Sequence, residues 1–489
     1  MRRRTLAVTA TAAALAAVLT PSGPTEGAAT AAPSHPTGAL TGATNGAAPE
    51  SDFNGDGYAD LAVGMPKATV DGRAQAGYVN VVWGGPDGLG TAGSARVSQS
   101  TSGVPGTAEA GDLFGTSVSA ADLDGDGYSD LAVTAPGERL TDTGTDREGT
   151  ATVVWGSPSG FRGGLTAAKG RADERLGRLL TVGDFDRDGH QDLALSTEGE
   201  EGGATRLRRG PFTTGSATDT SFVEDYDFGT ARALITGDFD GDGGDDLAVT
   251  YKGMEIAGTH VLSRASGTWQ RTWSTGDFGS AVATGDFDGD GTADLAIGRV
   301  QPNPEADGTF CEDRLGGAIA VVHGKRDTTL GGEVSCTTQS TPYVPGTAEP
   351  EDDFGGALAA GDLDRDGRDE LVVGVRHEAI GAEADAGAYL WLAEGPDAAL
   401  SGAAFNQNSP GVAGTAEAGD LFGAAVATGD YNGDRLPDMA IGAPGENARS
   451  GGVWFHATRD EGTQPPVTSV TPARLGLSGA VEHGGVLAR

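Results

Sequence analysis

A nine-residue acidic pattern constrains this chain more than any other feature of its 489 residues. The pattern, D-x-[DN]-x-D-G-x-x-[DE], recurs seven times, with one substitution at the glycine of the last copy. Successive copies begin 70, 62, 54, 48, 76 and 68 residues apart, at residues 52–60, 122–130, 184–192, 238–246, 286–294, 362–370 and 430–438. Repetition at such intervals indicates a chain built from copies of one supersecondary unit.

The residue types in each copy predict a Ca²⁺ site. Ca²⁺ takes about six to eight oxygen ligands, and glycine at position 6 permits the positive φ of a tight loop. Positions 1, 3, 5 and 9 offer side-chain oxygens and position 7 a backbone carbonyl. The candidate ligands are Asp52, Asn54, Asp56, Tyr58, Asp60; Asp122, Asp124, Asp126, Tyr128, Asp130; Asp184, Asp186, Asp188, His190, Asp192; Asp238, Asp240, Asp242, Gly244, Asp246; Asp286, Asp288, Asp290, Thr292, Asp294; Asp362, Asp364, Asp366, Arg368, Glu370; and Asp430, Asn432, Asp434, Leu436, Asp438.

Two other structures could contain such acidic segments: an EF-hand, and an acidic surface turn that binds no metal. An EF-hand needs a bidentate glutamate at position 12. That position is aliphatic in every copy: Val63, Val133, Leu195, Val249, Ile297, Val373 and Ile441. The EF-hand is therefore excluded, whereas acidic surface turns that bind no metal remain an alternative.

The segments around each loop predict short β-strands. An aliphatic run of four to six residues, bounded by Gly or Pro, follows each loop, and a run rich in small residues precedes most of them. Two further strands complete a four-stranded antiparallel unit, which is too small to bury both of its faces. We therefore predict an all-β fold, a seven-bladed propeller over residues 50–483; a linear array of Ca²⁺ modules is the alternative. The predicted blades are 50–110 with 473–483, 111–170, 171–223, 224–272, 273–350, 351–416 and 417–472.

Closure of the ring is predicted from its two ends. The first blade has an acidic loop but no Phe-Gly strand before it. Residues 474–481 resemble the missing strand, and we expect them beside residues 61–64. Since strands alternate in direction, the acidic loops should all lie on one rim. Ligand recognition is then expected on the other rim, in the unrepeated connections 66–77, 136–149, 299–317, 375–387 and 444–452.

The motifs flanking the loops resemble FG-GAP repeats. Phe-Gly precedes most loops, as at Phe422-Gly423, and Gly-Ala-Pro follows the last one at 442–444. This resemblance, to the repeats of the integrin α-chain propeller and of many secreted bacterial proteins, implies a Ca²⁺-stabilised propeller that serves as a ligand-binding or adhesion platform. With Arg435 at the glycine position and Pro437 after it, the site at 430–438 is expected to be the weakest of up to seven. Partnership with an integrin β-chain is not implied, because the other integrin domains are not recognised.

Charge and the N-terminal segment indicate an extracellular protein. The 70 acidic and 33 basic residues leave a net charge of −37, which argues against nucleic-acid binding. Three arginines, an apolar run and Ala29-Thr30-Ala31 predict a signal peptide over residues 1–31, followed by a flexible linker over 32–49. We expect no membrane span. In an exported chain Cys311 and Cys336 are expected to form a disulfide. We expect a monomer.

Function is predicted less sharply than fold. The chain contains no H-E-x-x-H, G-x-S-x-G or G-x-x-x-x-G-K-[ST] motif. The leading hypothesis is a non-catalytic binding or adhesion module for an extracellular protein or polysaccharide. The alternatives are a Ca²⁺-dependent carbohydrate-active enzyme, such as a polysaccharide lyase or glycan hydrolase, and a structural surface-layer protein.

Overall fold

The computed structural model describes residues 51–140, 147–200, 202–264, 267–300, 311, 314–326, 328, 330–331, 334–394, 400–459, 466–477 and 481–488. These residues form seven separate four-stranded antiparallel sheets, each one blade of a β-propeller. The expected all-β, seven-bladed fold is therefore confirmed. The expected signal peptide (1–31) and linker (32–49) lie outside the described residues.

The strands follow the chain from blade to blade. Blade one contains β1 (Leu61–Met65), β2 (Tyr78–Val82), β3 (Ser94–Val97) and, from the C-terminal end, β28 (Val486–Leu487). Blade two contains β4 (Val118–Ala121), β5 (Asp130–Ala135), β6 (Thr150–Val154) and β7 (Gly164–Lys169). Blade three contains β8 (Leu180–Gly183), β9 (Asp192–Ser196), β10 (Gly202–Arg208) and β11 (Ser221–Asp227).

The remaining four blades repeat this order. Blade four contains β12 (Gly229–Gly237), β13 (Asp246–Gly253), β14 (Ala257–Ser263) and β15 (Gln270–Thr275). Blade five contains β16 (Ala281–Gly285), β17 (Asp294–Gly298), β18 (Ile319–Val322) and β19 (Ser335–Thr337). Blade six contains β20 (Ala357–Gly361), β21 (Glu370–Val375), β22 (Ala388–Glu394) and β23 (Leu400–Phe405). Blade seven contains β24 (Ala425–Gly429), β25 (Asp438–Gly442), β26 (Val453–His456) and β27 (Thr468–Val470), with one helical turn, α1 (Glu446–Arg449), between β25 and β26.

The core lies between neighbouring blades. The second strands are aliphatic after the acidic residue on which most of them begin, and β1, β5, β17 and β25 are buried along their whole length. The fourth strands are more polar, and β15 is exposed or half-buried at every residue. Apolar clusters join adjacent sheets: Phe354 and Leu371 of blade six, for example, pack with Ile319 of blade five. A single blade would leave these faces exposed to water, which explains why the sheets assemble into a ring.

In blades two, six and seven a Phe-Gly pair attaches the blade to the preceding one, whereas Phe228 of blade four is exposed. Phe422 is fully buried and Gly423 has φ +86°. A Cβ at Gly423 would lie 2.2 Å from the carbonyl oxygen of Ala388 in the preceding blade, so only glycine fits this approach. Phe114 and Phe354 are buried in the same way.

The ring closes through the C-terminal end of the chain, but not through the expected segment. Residues 474–476 form a turn, and the strand beside β1 is β28, which aligns Leu487 with Val63 and Val486 with Gly64. The expected boundary at residue 483 is therefore wrong. His483-Gly484 takes the place of Phe-Gly, and the His483 N–H donates to Ser450 O as the Phe422 N–H donates to Ala386 O. The prediction failed because residues 474–481 resemble the small-residue pattern of a first strand, whereas the strand that closes the ring follows His483-Gly484.

Two other expected blade boundaries fall inside strands. β11 continues to Asp227 and β15 to Thr275, past the boundaries expected at 223 and 272. Both are polar outer strands whose sequences lack the aliphatic alternation that marks the inner ones. The expected disulfide is confirmed: Cys311 is bonded to Cys336 in β19, with the two Cα atoms 5.6 Å apart. Among the described residues, no helix has the length and apolar character needed to cross a membrane.

Candidate metal centres

All seven acidic loops share one backbone conformation. The residues at positions 4 and 6 have positive φ in every copy: Gly55 and Gly57, Gly125 and Gly127, Arg187 and Gly189, Gly241 and Gly243, Gly289 and Gly291, Arg365 and Gly367, Gly433 and Arg435. Glycine adopts this conformation without strain, whereas arginine does so at a cost. The last loop keeps the common conformation in spite of Arg435 (φ +68°).

Hydrogen bonds inside each loop turn the carboxylates inward. In the first loop Asp52 Oδ1 accepts from the N–H groups of Gly55 and Asp56, and its Oδ2 accepts from Gly57 N–H. Asn54 Oδ1 then accepts from Asp56 N–H, and Asp56 Oδ1 accepts from Tyr58 N–H. These bonds leave Asp56 Oδ2 at position 5 for another partner, whereas the single oxygen of Asn54 at position 3 keeps only its second lone pair.

Position 9 has a second role that the sequence did not reveal. Asp130 is fully buried; its Oδ2 accepts from Leu123 N–H of the same loop (3.1 Å) and its Oδ1 from Gly156 N–H after the third strand (2.9 Å). Asp60 and Asp294 make the same pair of bonds. Burial raises the pKa of these carboxyls, to about 7 in Asp130, Asp192 and Asp246 and to about 8 in Asp60, Glu370 and Asp438.

The fold brings the predicted carboxylates together. Within 4.8 Å of one another lie oxygens of Asp122, Asp124 and Asp130; of Asp184, Asp186 and Asp188; of Asp238, Asp240 and Asp242; and of Asp286, Asp288 and Asp290. Several buried oxygens in the loops make no hydrogen bond within the described structure, namely Asp186 Oδ1, Asp362 Oδ1 and Asp430 Oδ1. Clustered carboxylates with unpaired buried oxygens fit a hard divalent cation such as Ca²⁺.

Side chains at position 7 pack between loops. A Cβ at Gly55 would lie 2.3 Å from the Tyr128 ring, and one at Gly433 would lie 2.7 Å from the Tyr58 ring. The position-7 tyrosine of one loop thus covers position 4 of its neighbour. The Ca²⁺ ligand expected at position 7 is the backbone carbonyl, which remains available to bind an ion when the side chain packs in this way.

The loops are also joined through their backbones. The N–H groups of Ala59, Ser129 and Ala293 donate to the carbonyl oxygens of Asp430, Asp52 and Asp238 in the preceding loops, each at 3.0 Å. Arg187 joins two loops as well, because it pairs with Asp242 of the next loop, whereas Arg162 contacts Asp124 and Asp126 of its own blade at 2.7 Å. The acidic rim is consequently a continuous inter-blade structure.

The opposite rim is formed by the connections between second and third strands and by those from each fourth strand to the next blade; we call it the upper rim. Three Gln-Glu hydrogen bonds join neighbouring blades there, Gln99 with Glu138 (buried), and Gln339 with Glu378 and Gln407 with Glu446 (part-buried). Between blades five and six, the Asp353 carboxylate lies 2.6 Å from both Arg299 and Arg376. The expected connections 136–149 and 299–317 fall partly outside the described residues.

This combination of blades and motifs defines a class of protein. Five segments, residues 44–93, 114–154, 278–301, 354–390 and 422–456, match the family model of the FG-GAP repeat. The chain therefore carries FG-GAP repeats on a seven-bladed propeller, and the resemblance drawn from the sequence is confirmed.

Individual relatives resemble part of this chain. It is 28% identical over 233 residues to the phosphatidylinositol-glycan-specific phospholipase D of Bos taurus, which covers 46% of this chain and 26% of that protein. The Rattus norvegicus enzyme is 31% identical over 159 residues, 31% of this chain and 18% of the enzyme. Integrin alpha-X of Mus musculus is 34% identical over 151 residues, 27% of this chain and 12% of the integrin. The chain thus matches about a quarter or less of each relative's length.

Solved structures show only a distant likeness. The rhamnogalacturonan lyase of Bacillus licheniformis aligns with 13% identity and a TM-score of 0.28, over 74% of this chain and 67% of the lyase. The exotype rhamnogalacturonan lyase YesX aligns with 13% identity and a TM-score of 0.29, over 74% and 65%. Such scores carry no argument about function.

Proposed function

We propose that this protein is a secreted, calcium-stabilised propeller that acts as a non-catalytic binding or adhesion module for an extracellular protein or polysaccharide. Ca²⁺ would be held by the carboxylates at positions 1, 3, 5 and 9 of the acidic loops, where clustered and partly unpaired oxygens support such a role. The Cys311–Cys336 disulfide is consistent with an oxidising, extracellular environment.

One observation about the upper rim carries the binding proposal. Among the described residues, six large apolar side chains are exposed, and five of them lie on upper-rim connections: Leu140, Phe228, Met254, Leu315 and Tyr343. Met254 and Tyr343 are 89% and 83% exposed. These side chains belong to connections of different blades, and a partner that spans several connections would cover them.

The scaffold suits this role. The hydrogen-bonded acidic rim and the inter-blade apolar clusters hold the blades rigidly. The ends of the upper-rim connections are therefore fixed before a ligand binds, which reduces the conformational entropy lost on binding. The arginines flanking Asp353 are 41% and 37% exposed at their side chains, and they add polar groups beside the apolar ones. A mixed apolar and polar surface favours a protein or polysaccharide ligand.

A binding screen tests the proposal. The full chain, in excess Ca²⁺, would be screened against extracellular-matrix proteins, cell-wall polymers and a glycan array. For each ligand found, the double variant Leu315→Ser with Tyr343→Ser should weaken binding by about tenfold or more without changing the thermal midpoint. Phe222→Ser is the matched control, because Phe222 is 54% exposed but lies on the outer strand β11.

Two outcomes would contradict the proposal. Binding that survives the upper-rim variants but is lost in Phe222→Ser would place the ligand on the blade edge. Cleavage of a bound polysaccharide, followed by the size of the polymer, would favour the enzyme alternative instead.

A further inference from the structure

Blade five departs from the other blades at the end of its third strand. The pairing of second and third strands aligns one position at or just beyond the end of the third strand in all seven blades. From blade one to blade seven its residues are Trp83, Trp155, Arg209, Ser263, His323, Ala393 and Ala457. Only blade five has histidine there. The next residue is glycine in four blades, whereas blade six has Glu394. The two departures lie in adjacent blades and face each other.

His323 faces two carboxylates of the fifth acidic loop. Its Nδ1 lies 3.1 Å from Asp294 Oδ2 and 3.7 Å from Asp288 Oδ2. These three ligand atoms lie within 4.8 Å of one another. Nδ1 is buried, and the carboxylate of Asp294 lies at ion-pairing distance from it when the ring is protonated. A metal ion that binds Nδ1 would displace that proton and take its place between the imidazole and the carboxylates.

Glu394 supports the other nitrogen of the same ring. The Glu394 side chain is 5% exposed, and its Oε1 lies 3.6 Å from His323 Nε2. Its Oε2 is buried and has no hydrogen-bond partner in the described part of the chain. Metal-bound histidines generally donate their second N–H to a carboxylate, which fixes the tautomer and the orientation of the ring. Glu394 lies just beyond hydrogen-bond distance of Nε2 and would take that role after a small approach, while Nδ1 faces the carboxylates of the loop.

We propose that Asp288, Asp294 and His323 form a binding site for a divalent transition-metal ion such as Zn²⁺, with Glu394 as a positioning residue from the neighbouring blade. Ca²⁺ prefers oxygen ligands alone, whereas imidazole with carboxylates suits Zn²⁺ and its neighbours in the first transition row. Three protein ligands leave a fourth position for water or a ligand group. The site would tie blade five to blade six, and it does not depend on the proposed binding function.

Asp294 is well placed to serve as a ligand. It is fully buried, and its oxygens accept from the N–H groups of Phe287 and Gly324 at 2.8 Å each. These bonds hold the carboxylate in place and leave each oxygen a second lone pair. Asp288 belongs to the acidic loop as well, so an ion at His323 would share this carboxylate with a cation bound in the loop.

Metal titration of the full chain tests the site. The protein is stripped with a chelator, placed in excess Ca²⁺ to fill all-oxygen sites, and titrated calorimetrically with Zn²⁺ and spectroscopically with Co²⁺. We expect one equivalent of Zn²⁺ to bind despite the Ca²⁺, and Co²⁺ to show the visible absorption of a nitrogen-ligated ion. His323→Trp, which introduces the residue of blades one and two, should abolish this binding. Glu394→Gln should weaken it by about 10- to 100-fold.

The control is His190→Ala, which removes an exposed histidine from the third acidic loop and should leave Zn²⁺ binding unchanged. Asp288→Asn, which preserves side-chain shape, replaces His323→Trp if that variant lacks the wild-type thermal transition. The inference is overturned if wild-type protein takes up no Zn²⁺ over Ca²⁺. It is equally overturned if the folded His323 or Asp288 variant still binds the full equivalent.

Discussion

At the residue scale, the carboxylate at position 9 shows how one side chain serves both the loop and the blade. Asp130 receives one N–H from its own loop and one from the end of the third strand, so it links three segments that are distant in sequence. Asp124 at position 3 of the same loop is instead partly exposed and contacts Arg162. The two carboxylates should therefore respond differently to substitution, even when no metal is bound.

Asp130→Asn should destabilise the protein in chelator, whereas Asp124→Asn should not. An amide has one acceptor oxygen, so one buried N–H loses its partner at a cost of about 1–3 kcal/mol. The exposed pair of Asp124 with Arg162 is worth less than about 1 kcal/mol. Urea unfolding at pH 8 with chelator measures both changes, and an equal effect of the two substitutions would contradict the structural role of position 9.

A second residue-scale prediction concerns His483, which occupies the position of the Phe-Gly phenylalanine in blade one. Burial lowers its pKa from 6.5 to about 4. The unfolded chain then binds a proton that the folded chain does not, so stability is lost as pH falls from 6.5 towards 4. Between pH 7.5 and pH 5 the wild type should lose about 2 kcal/mol of unfolding free energy through this histidine. His483→Phe should not show this loss.

Unfolding free energies of wild type and His483→Phe at the two pH values check this expectation. His190→Ala, at an exposed loop position, serves as the control and should retain the wild-type pH dependence. If His483→Phe lost as much stability as wild type on acidification, another group would be responsible.

At the element scale, the short C-terminal strand β28 closes the ring. β28 contains two residues, yet it provides the inner strand of blade one and joins the two ends of the ring. Leu487 packs in the cluster shared by blades seven and one, and Val486 packs in that shared by blades one and two. Ala488 N–H additionally donates to Ala62 O at 2.9 Å.

A chain ending at Gly484 should be less stable by about 2–4 kcal/mol, since Leu487 is buried, Val486 is half-buried, and a fully buried Val or Leu contributes about 1.5–3 kcal/mol. Thermal and urea unfolding of the truncated protein measure the loss. A chain ending at Ala488 is the control and should behave as wild type. Equal stability of the two truncated chains would mean that β28 does not secure the ring.

At the scale of the whole molecule, one rim concentrates negative charge. The seven loops place 28 of the 70 acidic residues on the side opposite the exposed apolar connections. Clustered carboxylates repel one another unless cations neutralise them. The acidic rim is therefore suited to binding cations, and the upper rim is suited to binding a partner.

Calcium removal should lower the thermal midpoint of the full chain. A site occupied at about 100 times its Kd stabilises the folded state by about 2.7 kcal/mol, and several sites act together. Melts with Ca²⁺, with chelator, and with chelator followed by excess Ca²⁺ measure the effect and its reversal. Mg²⁺ in place of Ca²⁺ is the control and should restore little, because it demands a tighter octahedral geometry. An unchanged midpoint in chelator would count against calcium stabilisation.

Local patterns determined the repeated features of this protein. The aliphatic runs predict β17 and β25, and glycine at position 6 predicts the loop conformation, because backbone preferences and strand alternation act over a few residues. The number of blades follows from counting these units. The disulfide also followed from the sequence, since the chain contains only two cysteines.

Tertiary structure alone decided the features that join distant parts of the chain. β28 pairs with a strand more than 400 residues away, and His483 takes the place of a phenylalanine that the pattern demanded. The second role of Asp130, the gathering of exposed apolar side chains on the upper rim and the meeting of His323 with Glu394 likewise depend on which blades become neighbours. Contacts of this kind are set by the closing of the ring, and a pattern confined to one repeat carries no information about the surface that the next repeat presents to it.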